Sequence, residues 1–90
     1  MQTAIDPLET HRKRLAWRAS RRGIREMDLL VGGFAALHLP TMSAAELQHF
    51  ESILDIPDQD LLAWVTQQAV VPAHLQSFML YQLLNFRPTN

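Results

Sequence analysis

The sequence predicts an all-α fold, a single small antiparallel bundle of five helices. Apolar residues recur at helical spacing in five stretches, two helix starts carry strong capping signals, and proline or glycine marks every junction. No sustained period-two alternation and no hairpin dipeptide supplies a strand. Ninety residues, 48% hydrophobic and without cysteine, suit one domain over 1–90 with its core at roughly 7–86. Such a chain buries roughly 60 to 65% of its unfolded surface, and its core must hold it together without disulfides.

Asp6-Pro7-Leu8-Glu9 opens the first helix. Asp6 can accept an N–H as N-cap, Pro7 is pre-set for the first helical position, and Glu9 suits the first turn. The helix should run to about Ser20, with Leu8, Leu15 and Ala19 on one face and Arg12, Lys13, Arg14 and Arg18 over the others. Gly23 reads as its C-terminal stop. From Ile24 to Pro40 the set Ile24, Met27, Val31 and Phe34, widened by Leu30 and Leu37, marks a central, most buried helix. Gly32 and Gly33 lie inside it, each costing about 1 kcal/mol against alanine, which implies close helix packing or a local kink.

Ser43-Ala44-Ala45-Glu46 is a capping box, with Met42 and Leu47 at the two staple positions, and Leu47, Phe50, Ile53 and Leu54 face inward from the helix it starts. After Ile56-Pro57, Asp58 can cap a fourth helix carrying Leu61, Leu62, Trp64 and Val65 to about Ala69. Pro72 can open a fifth with Leu75, Phe78, Met79, Leu83 and Phe86, closed by Pro88. Connections of a few residues place successive helices side by side.

The formal charge of −1 conceals polarity: seven of the eight cations lie between Arg12 and Arg25, and seven of the nine acids follow from Glu26 onward. A basic end and an acidic remainder are expected on the surface, and a charged partner with them. The basic block reads equally as a solvated helix face or as a track for phosphates. Nucleic-acid binding is thus the alternative function, beside a generic helical interaction module, although no groove-reading motif accompanies the block. The N-terminus has no apolar signal region and is interrupted by Asp6 and Glu9, and no window approaches the roughly 18 apolar residues of a membrane span. A bacterial cytoplasmic protein without membrane insertion is expected.

Enzymatic chemistry finds little support. Ser20, Ser43, Ser52 and Ser77 lack the Gly-x-Ser-x-Gly setting of a hydrolase nucleophile. Gly23, Gly32 and Gly33 form neither a dinucleotide fingerprint nor a P-loop. Glu46-x-x-His49 is a single copy of a unit that di-iron bundles use twice. Asp55, Asp58 and Asp60 lack the glycine and downstream glutamate of a calcium loop. No catalytic residue and no metal site is expected.

The segment Arg21 to Asp28 packs opposite charges around a glycine at a helix junction. If Ile24 points to the core, then Arg25, Glu26 and Asp28 lie largely away from it, and Gly23 lets another backbone approach. Spacing allows a contact surface but by itself favours a helix stop followed by first-turn acids that suit the helix dipole.

Arg22-Gly23-x-x-Glu26 followed by Asp28 resembles the Arg-Gly-x-x-Glu signature of the FAD assembly factors of succinate dehydrogenase. Leu29-Leu30-Val31, Phe34, the Met42 to Leu47 helix start, Phe50, Leu54 and Asp58-Gln59-Asp60-Leu61-Leu62-Ala63-Trp64 are similar to that family in order and spacing. The likeness spans about Leu15 to Trp64 and weakens after Ala69; Ile24 stands where the family usually has methionine. The resemblance implies a five-helix chaperone that binds the flavoprotein subunit of succinate dehydrogenase, and often that of fumarate reductase. It further implies that the factor promotes covalent attachment of FAD to a client histidine, with no enzymatic residue of its own and no stably bound cofactor. Arg22, Gly23 and Glu26 match the signature and Asp28 the acidic position after it. With their neighbours Arg21 and Arg25 they make up the expected partner-binding set, in which a bulky residue at Gly23 should damage binding more than folding.

Overall fold

Five α-helices, and no strand, make up residues 6–88, the part of the chain that a computed structural model describes. The expected domain limits at 1 and 90 lie outside the described residues. In order they are α1 (Pro7–Ala19), α2 (Arg25–His38), α3 (Ala44–Leu54), α4 (Asp58–Val65) and α5 (Phe78–Asn85). Short 3₁₀ turns fill Leu39–Thr41 and Ala73–Leu75.

The two strongest start signals form as read. The Asp6 carboxylate accepts the Leu8 N–H at 2.9 Å with Pro7 in the first turn. At α3 the box is reciprocal: Ser43 Oγ accepts the Glu46 N–H at 3.2 Å, and Glu46 Oε1 accepts the Ser43 N–H at 2.8 Å. Met42 and Leu47 are both buried beside it.

α2 is the central element, packed against α1, α4 and α5, and it buries Met27, Leu30, Val31, Phe34 and Ala35. Its two glycines mark close packing, and α2 runs unbroken through both. A Cβ on Gly32 would stand 3.2 Å from the Ser20 Cα, and one on Gly33 would stand 3.0 Å from the Phe86 ring. The core draws on all five helices, with Leu15, Phe34, Phe50, Leu47, Leu61, Leu80 and Leu83 fully enclosed. Phe34 joins its halves, its ring centroid 5.9 Å from those of both Phe50 and Phe86.

The second half departs from the sequence reading. α4 stops at Val65, short of Ala69, where Thr66 caps the helix and Gln67 turns to a φ of +61°. Pro72 precedes a 3₁₀ turn instead of opening a helix; α5 starts only at Phe78, where Ser77 Oγ accepts the Leu80 N–H at 3.1 Å. The link 66–77 is therefore longer than the few residues expected of every connection. α5 turns Leu80, Leu83 and Leu84 inward, while Phe78, expected in the apolar stripe, stands at its first position and is 80% exposed. Leu37 of α2 is likewise exposed.

Nor do the charges separate into a basic end and an acidic remainder. α1 packs along α3, and the later acids face the early bases. His11 meets Glu51 at 2.8 Å, Arg18 meets Asp55 at 2.9 Å, and Arg22 meets Asp58 at 2.6 Å. Arg12 donates to the carbonyls of Leu39 and Met42. Four of the seven clustered basic positions, counting Arg12, Arg18 and Arg22 with Arg21 stacked on Trp17, are thus engaged within the chain.

Candidate functional site

The segment singled out by its charge forms the link between α1 and α2. α1 ends at Ala19 under Ser20, so the helix stops before Gly23 rather than at it. Gly23 instead takes a φ of +103° in the middle of the link, a value that side-chain-bearing residues rarely adopt. Nothing lies within 4 Å of where its Cβ would be. Ile24, extended and half-buried, then leads into α2.

Arg22 points inward. Its side chain is only 8% exposed, and all three guanidinium nitrogens donate. Nε reaches Asp58 Oδ1, Nη1 the Leu54 carbonyl and Nη2 the Ile56 carbonyl, each at 2.6 Å. Those carbonyls belong to the end of α3 and the turn after it, where a helix leaves C=O groups without intrahelical partners. A guanidinium offers the fork of donors such a site needs. Asp58 was read as the N-cap of α4, but Pro57 occupies that position and Asp58 is the first helical residue, its carboxylate spent on Arg22.

Asp28 is the second internal anchor. From the first turns of α2 its Oδ1 reaches back to accept the backbone N–H groups of Arg22 and of Gly23, the latter at 3.2 Å. The link is thus tied to α2 by its backbone and to the α3–α4 turn by the Arg22 side chain.

What remains outward is Arg21, Gly23, Arg25 and Glu26, all exposed. Arg21 lies over the Trp17 ring, 4.7 Å from its centroid, and Trp17 is itself 60% exposed. Trp17 did not stand out in the sequence, although its i, i+4 spacing to Arg21 is the signal that would have found it. One open groove borders the link and a second borders the first turns of α2. The first, of about 460 Å³, is lined by Trp17, Arg18, Arg21 and the 54–58 turn. The other, of about 350 Å³ and mainly apolar, is lined by Glu26, Leu29, Leu62, Val65 and the Arg87-Pro88 end.

The remaining titratable candidates have local uses. Glu46 closes the α3 capping box, His49 Nε2 lies 3.0 Å from Ser77 Oγ, and His38 stacks on Phe34 at 4.4 Å. Among the described residues no three histidine, aspartate or glutamate side chains converge as metal ligands would.

Fold and site together define a small helical protein whose most organised charged feature is a surface link between two helices, not a cleft with converging reactive groups. The family model described as "Flavinator of succinate dehydrogenase" matches residues 13–87, and this chain belongs to that family. It is 38% identical over 81 residues to the FAD assembly factor SdhE of Acetobacter pasteurianus, covering 90% of this chain and 74% of that protein. It is 33% identical over 76 residues to the mitochondrial succinate dehydrogenase assembly factor 2 of Dictyostelium discoideum, covering 84% of this chain and 54% of that one. With the corresponding Saccharomyces cerevisiae protein it shares 42% identity over 62 residues, 69% of this chain and 38% of the yeast one. The chain spans about half the length of these mitochondrial relatives, or less.

Proposed function

We propose that this chain is an assembly factor that binds the flavoprotein subunit of succinate dehydrogenase and promotes covalent attachment of FAD to it. In this reading it acts in the bacterial cytoplasm, is not an enzyme, keeps no FAD of its own, and has the fumarate reductase flavoprotein as a second client. Membership of the flavinator family across residues 13–87 carries the reading. The exposed charges at Arg21, Arg25 and Glu26 support it by offering a rigidly held polar surface. No helix among the described residues is long and apolar enough to cross a membrane.

Such a factor needs no nucleophile. Holding the client where flavin and acceptor side chain are aligned lowers the barrier by positioning alone, and a partner that binds only the aligned conformation shifts the client toward it. Glu26 would accept hydrogen bonds or pair with a client cation, and Arg21 and Arg25 would meet client acids.

The test is the covalent flavin fluorescence of denatured succinate dehydrogenase flavoprotein from cells lacking this chain, complemented with the wild type or with Glu26→Ala. The Glu26 side chain makes no hydrogen bond or ion pair with another described residue, so the variant should fold normally. Restoration by the wild type and a clear deficit with Glu26→Ala is the expected result. Normal flavin attachment without the chain would sink the proposal.

A further inference from the structure

We infer that Asp58, 36 residues beyond the signature arginine and outside the signature itself, is a positioning residue for client binding: it and Arg22 form a latch that holds the link 20–24 in its presenting conformation. The inference rests on the assembly-factor reading and divides the expected partner-binding set by role. Arg22 and Asp28 face into the molecule, and Arg21, Arg25 and Glu26 face out.

Three observations carry it. Arg22 has every guanidinium nitrogen committed to Asp58, Leu54 or Ile56, with its side chain 8% exposed and that of Asp58 14% exposed. A client side chain could reach this guanidinium only by breaking bonds that a partly desolvated charge does not readily give up. Next, the link contributes few buried apolar contacts beyond Ile24, so polar bonds must fix its shape. Ser20 and Arg21 bond back to the end of α1, and the bonds that tie the rest of the link to other elements are the Arg22 fork on one side and the Asp28 carboxylate under the Arg22 and Gly23 amides on the other. Finally, Gly23 at a φ of +103° has no packing neighbour where a Cβ would lie, so side-chain packing at that position does not hold the turn.

The latch and a direct contact by Arg22 make opposite forecasts for Asp58→Asn. If Arg22 touched the client, losing the Asp58 charge would free the guanidinium for it, and binding would hold or improve. If Arg22 acts through Asp58, then Asp58→Asn mimics Arg22→Lys, which keeps the charge but cannot make three forked bonds.

The experiment uses the full chain and two readouts. Backbone amide exchange of the free chain reports the order of residues 22–26, and titration with the succinate dehydrogenase flavoprotein subunit reports affinity. Asp58→Asn and Arg22→Lys should each speed exchange in the link while the α3 amides stay protected, and each should weaken binding by about tenfold or more. The double variant should bind little worse than either single one, because both weaken the same charge-assisted bond. Unchanged exchange in the link of Asp58→Asn would overturn the latch whatever the client proves to be. So would wild-type affinity of Asp58→Asn for the subunit while Arg22→Lys is weakened. Failure of the wild-type chain to bind the subunit would instead strike the assembly-factor reading, and the exchange measurement would still decide the latch.

Discussion

Gly23 sets a limit on what its own substitution can reveal. Its φ of +103° lies where any Cβ is strained, yet open space surrounds the position, so the penalty is conformational and nearly independent of side-chain size. Gly23→Ala and Gly23→Arg should therefore both lose about 1–3 kcal/mol, visible as similar falls in the urea midpoint. A much larger loss for arginine would mean that bulk matters. The expectation that a large residue there damages binding more than folding has to be measured against this cost, and a client-binding defect at Gly23 corrected for it. At this scale the sequence showed which residues cluster but not which way they point. Arginine is almost never buried without a partner, and the partners of Arg22 are a carboxylate and two carbonyls 32 to 36 positions away. Asp28 was legible as a first-turn acid; its use as a backward clamp on two amides was not, because that depends on how the link folds.

The starts of α1 and α3 were legible in the sequence, and those of α4 and α5 were misread. A start is written in local chemistry: Asp6 and Ser43 each accept an N–H within three residues, and both were readable. The end of α4 carries no glycine or proline at the break, only Gln67 forced to positive φ. The long link that follows hid the Ser77 cap and so misplaced Phe78. Ser43→Ala removes one half of a reciprocal pair and should cost about 1 kcal/mol, a fall in Tm of about 4–8 °C for a domain of this size. Glu46→Ala should lose no more than that, since its carboxylate serves only the Ser43 amide in the same box. An unchanged Tm for Ser43→Ala would show that water replaces the hydroxyl at no cost.

At the scale of the whole molecule, Phe34 of α2 joins the α3 side through Phe50 to the C-terminal end through Phe86. Phe34→Ala should cost about 3–5 kcal/mol, a large share of the roughly 5–13 kcal/mol that a chain of this length has in total. Calorimetry should show one cooperative transition at much lower temperature; an intact Tm would mean that the core is not shared as described. The class of fold was visible from periodicity alone, because burying one stripe per helix leaves few other solutions. Charge placement was not, since it depends on α1 lying along α3, which pairs early bases with late acids.

The bond between Arg22 and Asp58 also orders events in time. A protein is made from its N-terminus, so the signature leaves the ribosome well before Asp58 does: the arginine gains the carbonyls of Leu54 and Ile56 only once α3 is complete, and its carboxylate only once α4 begins. An unfinished chain would display the right residues in the wrong shape. With the latch as inferred, engagement of a client follows completion of the fold, and a truncated product ending before α4 lacks the carboxylate that sets the signature.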